Sequence, residues 1–371
     1  MAIDLFADLG RPESELHPQY KALRDLPGYA PARQLIRELQ REFADPDGNF
    51  VEQFQTFALD ARTFEFFLSV MLADSGHELD RSIDRPDFLV TKDEVTAAVE
   101  AVTANPRGNG SIQPYDAVPD ARSLQEAAEQ LEHTIPIRLG SPLFTKLNKK
   151  YWELPHVAGK PLILAIQDFH TAGALMTSDV PLVQYLYGIG QTWWHDEDGN
   201  LVIQSHNLGE HREGAKRIPS GFFQQEDAEN ISAVLFSNAG TLAKFDRMGH
   251  QGQYRARGVR MLRWGSCYRH DPNATLPRPF VYEVGDSEWP VETWRQGTVL
   301  VHNPNALHPL PEQWLGAALE HTLVDGELRT MVSEQFFPYS SITQIMTNAS
   351  RGDVRRTAQG LYDALTSVLP P

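Results

Sequence analysis

Two stretches of the chain carry the residue types best able to do chemistry. Arg85-Pro86-Asp87-Phe88-Leu89-Val90 places an Asp, behind a Pro, at the head of an apolar run of β type. Val99-Glu100-Ala101-Val102-Thr103 places a Glu in a second run of Val, Ala and Thr. Lys92-Asp93, between the runs, suits a short turn. Paired as a hairpin, the runs bring Asp87 and Glu100 together at one end of a sheet. Two adjacent carboxylates are a common oxygen donor set for a hard divalent cation such as Mg2+. Glu100 is flanked by Ala97, Ala98, Val99, Ala101 and Val102. Burying a carboxylate in such a run is costly unless it is paired or metal-bound. Plain structural roles stand beside these: Asp87 as a turn residue and Glu100 as a strand-end surface Glu.

The elements that must position these residues follow from the apolar pattern. Residues 31–44 predict an amphipathic helix, with Pro31 at its start and Leu35, Ile36 and Leu39 on one face. Residues 50–73 predict one long helix or two, carrying Phe54, Phe57, Phe64, Phe67, Leu68, Met71 and Leu72, with Gly76 as the stop. After the hairpin, residues 105–110 form a loop. Ser123 caps a helix to about Thr134, with Glu126 completing a capping box. A helix over 142–153 carries Lys146, Lys149 and Lys150. Pro161 to Ile166 is a short apolar strand leading to Gln167, and Pro181 to Tyr187 is helical. Asp196-Glu197-Asp198-Gly199-Asn200 marks a hairpin turn, and Ile231–Phe236 and Val299–Val301 are buried strands. The expected fold is α/β (α+β), with a β-rich second half. It divides into a helical segment at 1–45, a core at 46–190 and a C-terminal unit at 191–371, although the two halves could share one sheet.

The order helix, Pro-Asp hairpin, Glu, helix, strand resembles the PD-(D/E)xK nuclease superfamily, with its restriction-endonuclease-like mixed sheet flanked by helices. The resemblance covers roughly residues 50–170. It implies that Asp87 and Glu100 bind Mg2+ or Mn2+, that Glu65 on the preceding helix assists, and that DNA or RNA phosphodiesters are hydrolysed. The family carries a Lys two residues after the Glu, where this chain has Val102. In some members that Lys has moved to a neighbouring helix, a place that Lys146 or Lys149 would fill. Gln167 and Thr103 would be polar neighbours on the same rim. A solvated helix face explains Glu65 and the lysines equally simply.

The second half has a sharper electrostatic feature. Between Thr241 and His270 lie seven basic residues, Lys244, Arg247, Arg255, Arg257, Arg260, Arg263 and Arg269, against the single acid Asp246. Phe245, Tyr254, Trp264 and Tyr268 are interleaved with them. Arginines beside aromatic rings suit phosphate contact and base stacking, which makes the first six candidates for nucleic-acid binding. Intramolecular salt bridges are the competing use, because the whole chain has net charge −16. That charge also argues against a generic polyanion binder.

Other chemistries find little support. There is no His-Glu-x-x-His and no cysteine cluster, so zinc is not indicated. Asp196–Asn200 lacks the twelfth-position Glu of a calcium loop. No Gly-x-Ser-x-Gly is present, and Ser237–Thr241 lacks the Lys and spacing of a P-loop. Cys267 is the one cysteine; the arginines around it would lower its pKa. One cysteine allows no intrachain disulfide, the first residues resemble no secretory leader, and the run Phe66–Ala73 is too short to span a bilayer, so a cytoplasmic, membrane-free protein is expected. A homo-oligomer is compatible with all of this. Two further functions remain in view: a non-catalytic module that binds nucleic acid or protein on a nuclease-like fold, and a small-molecule hydrolase or transferase with its pocket near Asn238, His302 and Asn305.

Overall fold

The computed structural model describes residues 3–46, 48–106, 124–171 and 173–367. Its first three strands, β1 (Glu78–Asp80), β2 (Phe88–Lys92) and β3 (Val95–Ala104), form an antiparallel meander. The β2–β3 turn falls on Asp93-Glu94, both at positive φ (49° and 65°), one residue later than expected. Such a turn matches the twist of a hairpin. β4 (Leu162–Asp168) then adds parallel to β3.

The chain continues through two small hairpins, β5 (Ile189–His195) with β6 (Leu201–Asn207), and β7 (Glu210–Glu213) with β8 (Lys216–Pro219). It returns to the main sheet as β9 (Ala233–Ser237), and leaves again for β10 (Val259–Cys267) and β11 (Arg278–Glu283). β12 (Thr298–His302), β13 (Leu319–Val324) and β14 (Glu327–Val332) complete the main sheet, and β15 (Pro338–Thr347) pairs with β10. The main sheet has eight strands in the order β1-β2-β3-β4-β9-β12-β13-β14, and a second sheet runs β11-β10-β15. The fold is therefore mixed α+β.

Because β9 pairs parallel to β4, strands from both halves share one sheet. The division expected between 46–190 and 191–371 thus runs through a single hydrogen-bonded sheet. The segment 1–45 is tied in as well. Its helix, packed against residues 242–251, donates the Ala32 backbone N–H to Asp246 Oδ1 at 2.9 Å. A Cβ on Gly249 would come within 2.5 Å of the Pro31 carbonyl oxygen, so only glycine permits this approach.

The helices are α1 (Pro18–Asp25), α2 (Ala30–Leu39), α3 (Phe50–Gln55), α4 (Leu59–Asp74), α5 (Leu124–Glu129), α6 (Ile135–Leu147), α7 (Val180–Tyr187), α8 (Leu242–Gln251) and α9 (Arg351–Ser367). They cover both faces of the sheet, which is why β4 is buried along its whole length. Ile163 and Ala165 face the layer of α2, α4 and α8, whereas Leu162, Leu164 and Ile166 face α6 and α7; all five are fully buried. The 50–73 stretch resolves into two helices broken at 56–58.

α6 corrects the expected helix at 142–153. Ile135, Leu139, Leu143 and Leu147, at four-residue spacing, are all buried, and this stripe carries the helix straight through Pro142. An interior proline costs a helix about 3 kcal/mol, which the buried stripe offsets. The cap proposed at Ser123 lies outside the described residues, as does the 105–110 loop beyond Pro106. No helix among the described residues is long and apolar enough to cross a membrane.

Candidate active site

β3 alternates its side chains across the sheet. Val99 faces α4, while Ala98 and Val102 face α6. Glu100 shares the α6 side and is 5% exposed. Asp87 stands one residue before β2, whose first residue, Phe88, is paired with Val99. The two acidic residues lock together through backbone: Asp87 N–H donates to Glu100 Oε2 (3.3 Å), and Ala101 N–H donates to Asp87 Oδ2 (2.7 Å). The convergence expected from the sequence is therefore present.

Lys146, on the last turn of α6, pairs through Nζ with Glu100 Oε1. The Tyr151 hydroxyl donates to the same oxygen at 2.9 Å. Glu65 arrives from α4 on the other side. Both of its oxygens are taken: Arg62 binds one, and Arg81 Nη2 binds the other at 2.5 Å. Arg81 is itself sandwiched, with its guanidinium carbon 4.1 Å from the Phe43 ring centre and 4.7 Å from that of Phe88. These groups border a cavity of about 420 Å³ whose wall includes Arg62, Glu65, Asp87, Glu100, Thr103 and Lys146.

Electrostatics single out Asp87. Burial pushes its carboxyl up to about 8, and the neighbouring Glu100 and Glu65 push in the same direction; the Ala101 N–H and Lys146 only partly oppose this. Asp87 Oδ1 takes no hydrogen bond from the described residues. Among those residues, no group of three or more His, Cys, Asp and Glu side chains is arranged to hold a metal ion. The arginines that occupy Glu65 explain part of that, and they make it a holder of arginines. Asp87 and Glu100 are what remain: two hard oxygen donors side by side at the cavity. That set fits Mg2+ or Mn2+, which bind through one or two carboxylates and complete their shell with water and substrate phosphate.

Several expected site residues are placed elsewhere. Lys149 lies in the turn after α6 and is exposed, since the helix ends at Leu147; Lys150 pairs with Asp227. Gln167 faces the opposite side of the sheet from Glu100. There its side chain accepts from Gly240 N–H (2.9 Å) and donates to the Gly240 carbonyl (3.1 Å). The basic stretch is largely consumed internally. Lys244, Arg247 and Arg263 are buried around one carboxylate, Glu292, and are unavailable to a nucleic acid. Arg260 makes a two-pronged pair with Glu283 (2.8 and 3.0 Å). Arg255 and Arg257 are exposed. Cys267 is buried, and burial raises its thiol pKa, reversing the effect expected of nearby arginines.

Asn238, His302 and Asn305, considered for a second pocket, are engaged within the protein. Asn238 donates to the Thr177 and Tyr339 carbonyls, Asn305 donates to the Phe223 carbonyl, and His302 pairs with Glu320. A larger cavity of about 780 Å³ lies nearby, bordered by α7, the β5–β6 hairpin, Asp179, His321 and Tyr339. Sequence reasoning missed Arg62, Arg81 and Tyr151. Arg62 had a signal, being three residues before Glu65 on one helical face. The other two join the site only through tertiary packing. No family model, curated protein or solved structure matches the chain.

Proposed function

We propose that the protein is a Mg2+- or Mn2+-dependent nuclease of PD-(D/E)xK type, hydrolysing phosphodiester bonds of DNA or RNA. The observation that carries this is the meeting of Asp87, Glu100 and Lys146 at one cavity, with the lysine arriving from α6 where the strand offers Val102. Among the described residues the element order α4-β1-β2-β3-α5-α6-β4, with a parallel β3–β4 pair, also supports it. A module that only binds nucleic acid has no use for two carboxylates brought together with a raised Asp87, so catalysis is favoured over that alternative.

Asp87 and Glu100 would hold the cation, which would supply neutralisation of phosphate charge and a water of lowered pKa. Lys146 pairs with Glu100 and would present a positive charge beside the position of the scissile phosphate. Tyr151 fixes the Glu100 carboxylate by its hydroxyl, so its orientation does not depend on Lys146 alone. Arg62 and Arg81 hold Glu65 neutralised, which limits like-charge repulsion on Asp87.

Labelled single- and double-stranded DNA and RNA, incubated with Mg2+, Mn2+ or EDTA, test the proposal. Metal-dependent cutting that disappears in Asp87→Ala and Glu100→Ala supports it. Absence of cutting on every substrate, together with no metal uptake by calorimetry, removes it.

A further inference from the structure

Resting on the nuclease proposal, the geometry points to an unpaired strand as the substrate of this site. The corner between α3 and α4 holds it: Arg62 takes a phosphate, and the Phe57 ring stacks on a base.

Phe57 is 79% exposed, more than any other large apolar side chain among the described residues. Its neighbours on α3 and α4, Phe50, Phe54, Phe64, Phe66 and Phe67, are all buried. Its chain neighbour Ala58, and Gln53 four residues before it, both border the cavity, so the backbone of Phe57 lies next to the cavity wall. Ala58 N–H donates to the Gln53 carbonyl at 3.1 Å, which ties the α3–α4 corner closed.

Arg62 is fixed from several sides. Its Nε and Nη2 donate to Gln53 Oε1 at 2.8 and 2.6 Å, its Nη1 pairs with Glu65, and its guanidinium carbon lies 5.1 Å from the Phe50 ring centre. The side chain remains 24% exposed on the cavity wall. A guanidinium has five N–H donors, so some remain for a phosphate oxygen after these bonds are made.

A fixed cation at the site and an exposed aromatic beside it are the two halves of single-strand recognition, phosphate contact and base stacking. Within a duplex, base faces are already stacked on one another and offer Phe57 nothing. The net charge of −16 also weighs against a duplex, whose charge density is higher than that of a single strand.

The test uses the full chain and short labelled oligonucleotides of one sequence, single-stranded and as a duplex, in DNA and RNA forms. Binding is measured in EDTA by anisotropy, and cutting in Mn2+. The expected result is preference for the single strand, with Phe57→Ala weakening its binding roughly tenfold, Phe57→Leu equally weak and Phe57→Trp restoring it. Arg62→Gln should lower the slope of log affinity against log salt by about 0.7, the value for one phosphate of a single strand. Phe57 lies in water, so its variants keep the fold. Duplex preference, or single-strand binding untouched by Phe57→Ala, with cutting still abolished by Asp87→Ala, overturns the inference and leaves the nuclease proposal standing. Failure of the wild-type chain to cut any nucleic acid overturns both.

Discussion

Metal uptake at this site should expel a proton, and the size of the effect follows from Asp87. With its carboxyl pushed up to about 8, chiefly by burial and then by Glu100 and Glu65, roughly 90% of Asp87 is protonated at pH 7. A divalent cation requires the carboxylate, so binding at pH 7 should release about 0.9 proton, and at pH 9 about 0.1. Affinity should rise about ninefold from pH 6 to 7, about fivefold from 7 to 8, and less than about twofold from 8 to 9. Calorimetric titration with Mn2+ in paired buffers of different protonation heat gives the proton count directly. The same shift has a consequence for stability. The folded pKa lies above the unfolded value of about 3.9, so the contribution of Asp87 is full below pH ~4 and is lost as pH rises through about 8. Asp87→Asn should therefore gain stability relative to the wild type at pH 9 and not at pH 4. Flat affinity between pH 6 and 8, or no proton released at pH 7, would refute this account of the carboxylate pair.

Three other outcomes are expected. Glu292→Gln leaves Lys244, Arg247 and Arg263 buried without a counter-ion and should cost about 3–5 kcal/mol in urea unfolding; a loss under 1 kcal/mol would show that the hydroxyls and carbonyls around them suffice. Lys146→Ala should reduce cutting about 100-fold, and adding Val102→Lys, which faces the same cavity, should recover part of it; full activity in Lys146→Ala alone would remove the lysine from the site. Arg255→Ala with Arg257→Ala should lower the single-strand salt slope by about 1.4 if both exposed arginines touch phosphate, and an unchanged slope would exclude them.

Short-range pattern made the hairpin and the buried strands legible. Asp87 and Glu100 could be matched because strand alternation and one turn fix their relation, and Lys146 because it lies within a helix that returns to the sheet. What escaped was tertiary. The basic stretch reads as a surface feature only while Glu292 is out of view; that acid lies more than 20 residues beyond the last of the arginines it neutralises. Lys149 falls outside the helix: Ser141-Pro142 reads as a helix start, whereas the helical run comes uninterrupted from Leu124 through a π turn at Gln130–Thr134 into α6 and ends at Leu147. Strands from both sides of the expected boundary share one sheet, as the sequence allowed, because β9, β12, β13 and β14 return to a sheet begun before residue 110. No local signal announces which sheet a buried strand will join.

The global charge and the proposed chemistry are reconciled within the cavity. A chain of net −16 repels phosphates at long range, but that field is screened over about 10 Å in ordinary salt. At contact the balance differs. Glu65 is neutralised by two arginines, Glu100 by Lys146, and Asp87 is largely protonated near neutral pH. The local sum is therefore slightly positive before any cation binds. Exchange of the Asp87 proton for a divalent ion adds a further unit of positive charge at the carboxylate pair. A phosphodiester that reaches the site meets attraction, while one far from it does not. On the proposed reading, selection would then fall on strands that can enter the cavity, and the weak general affinity for polyanions implied by the composition would be compatible with hydrolysis at this one place.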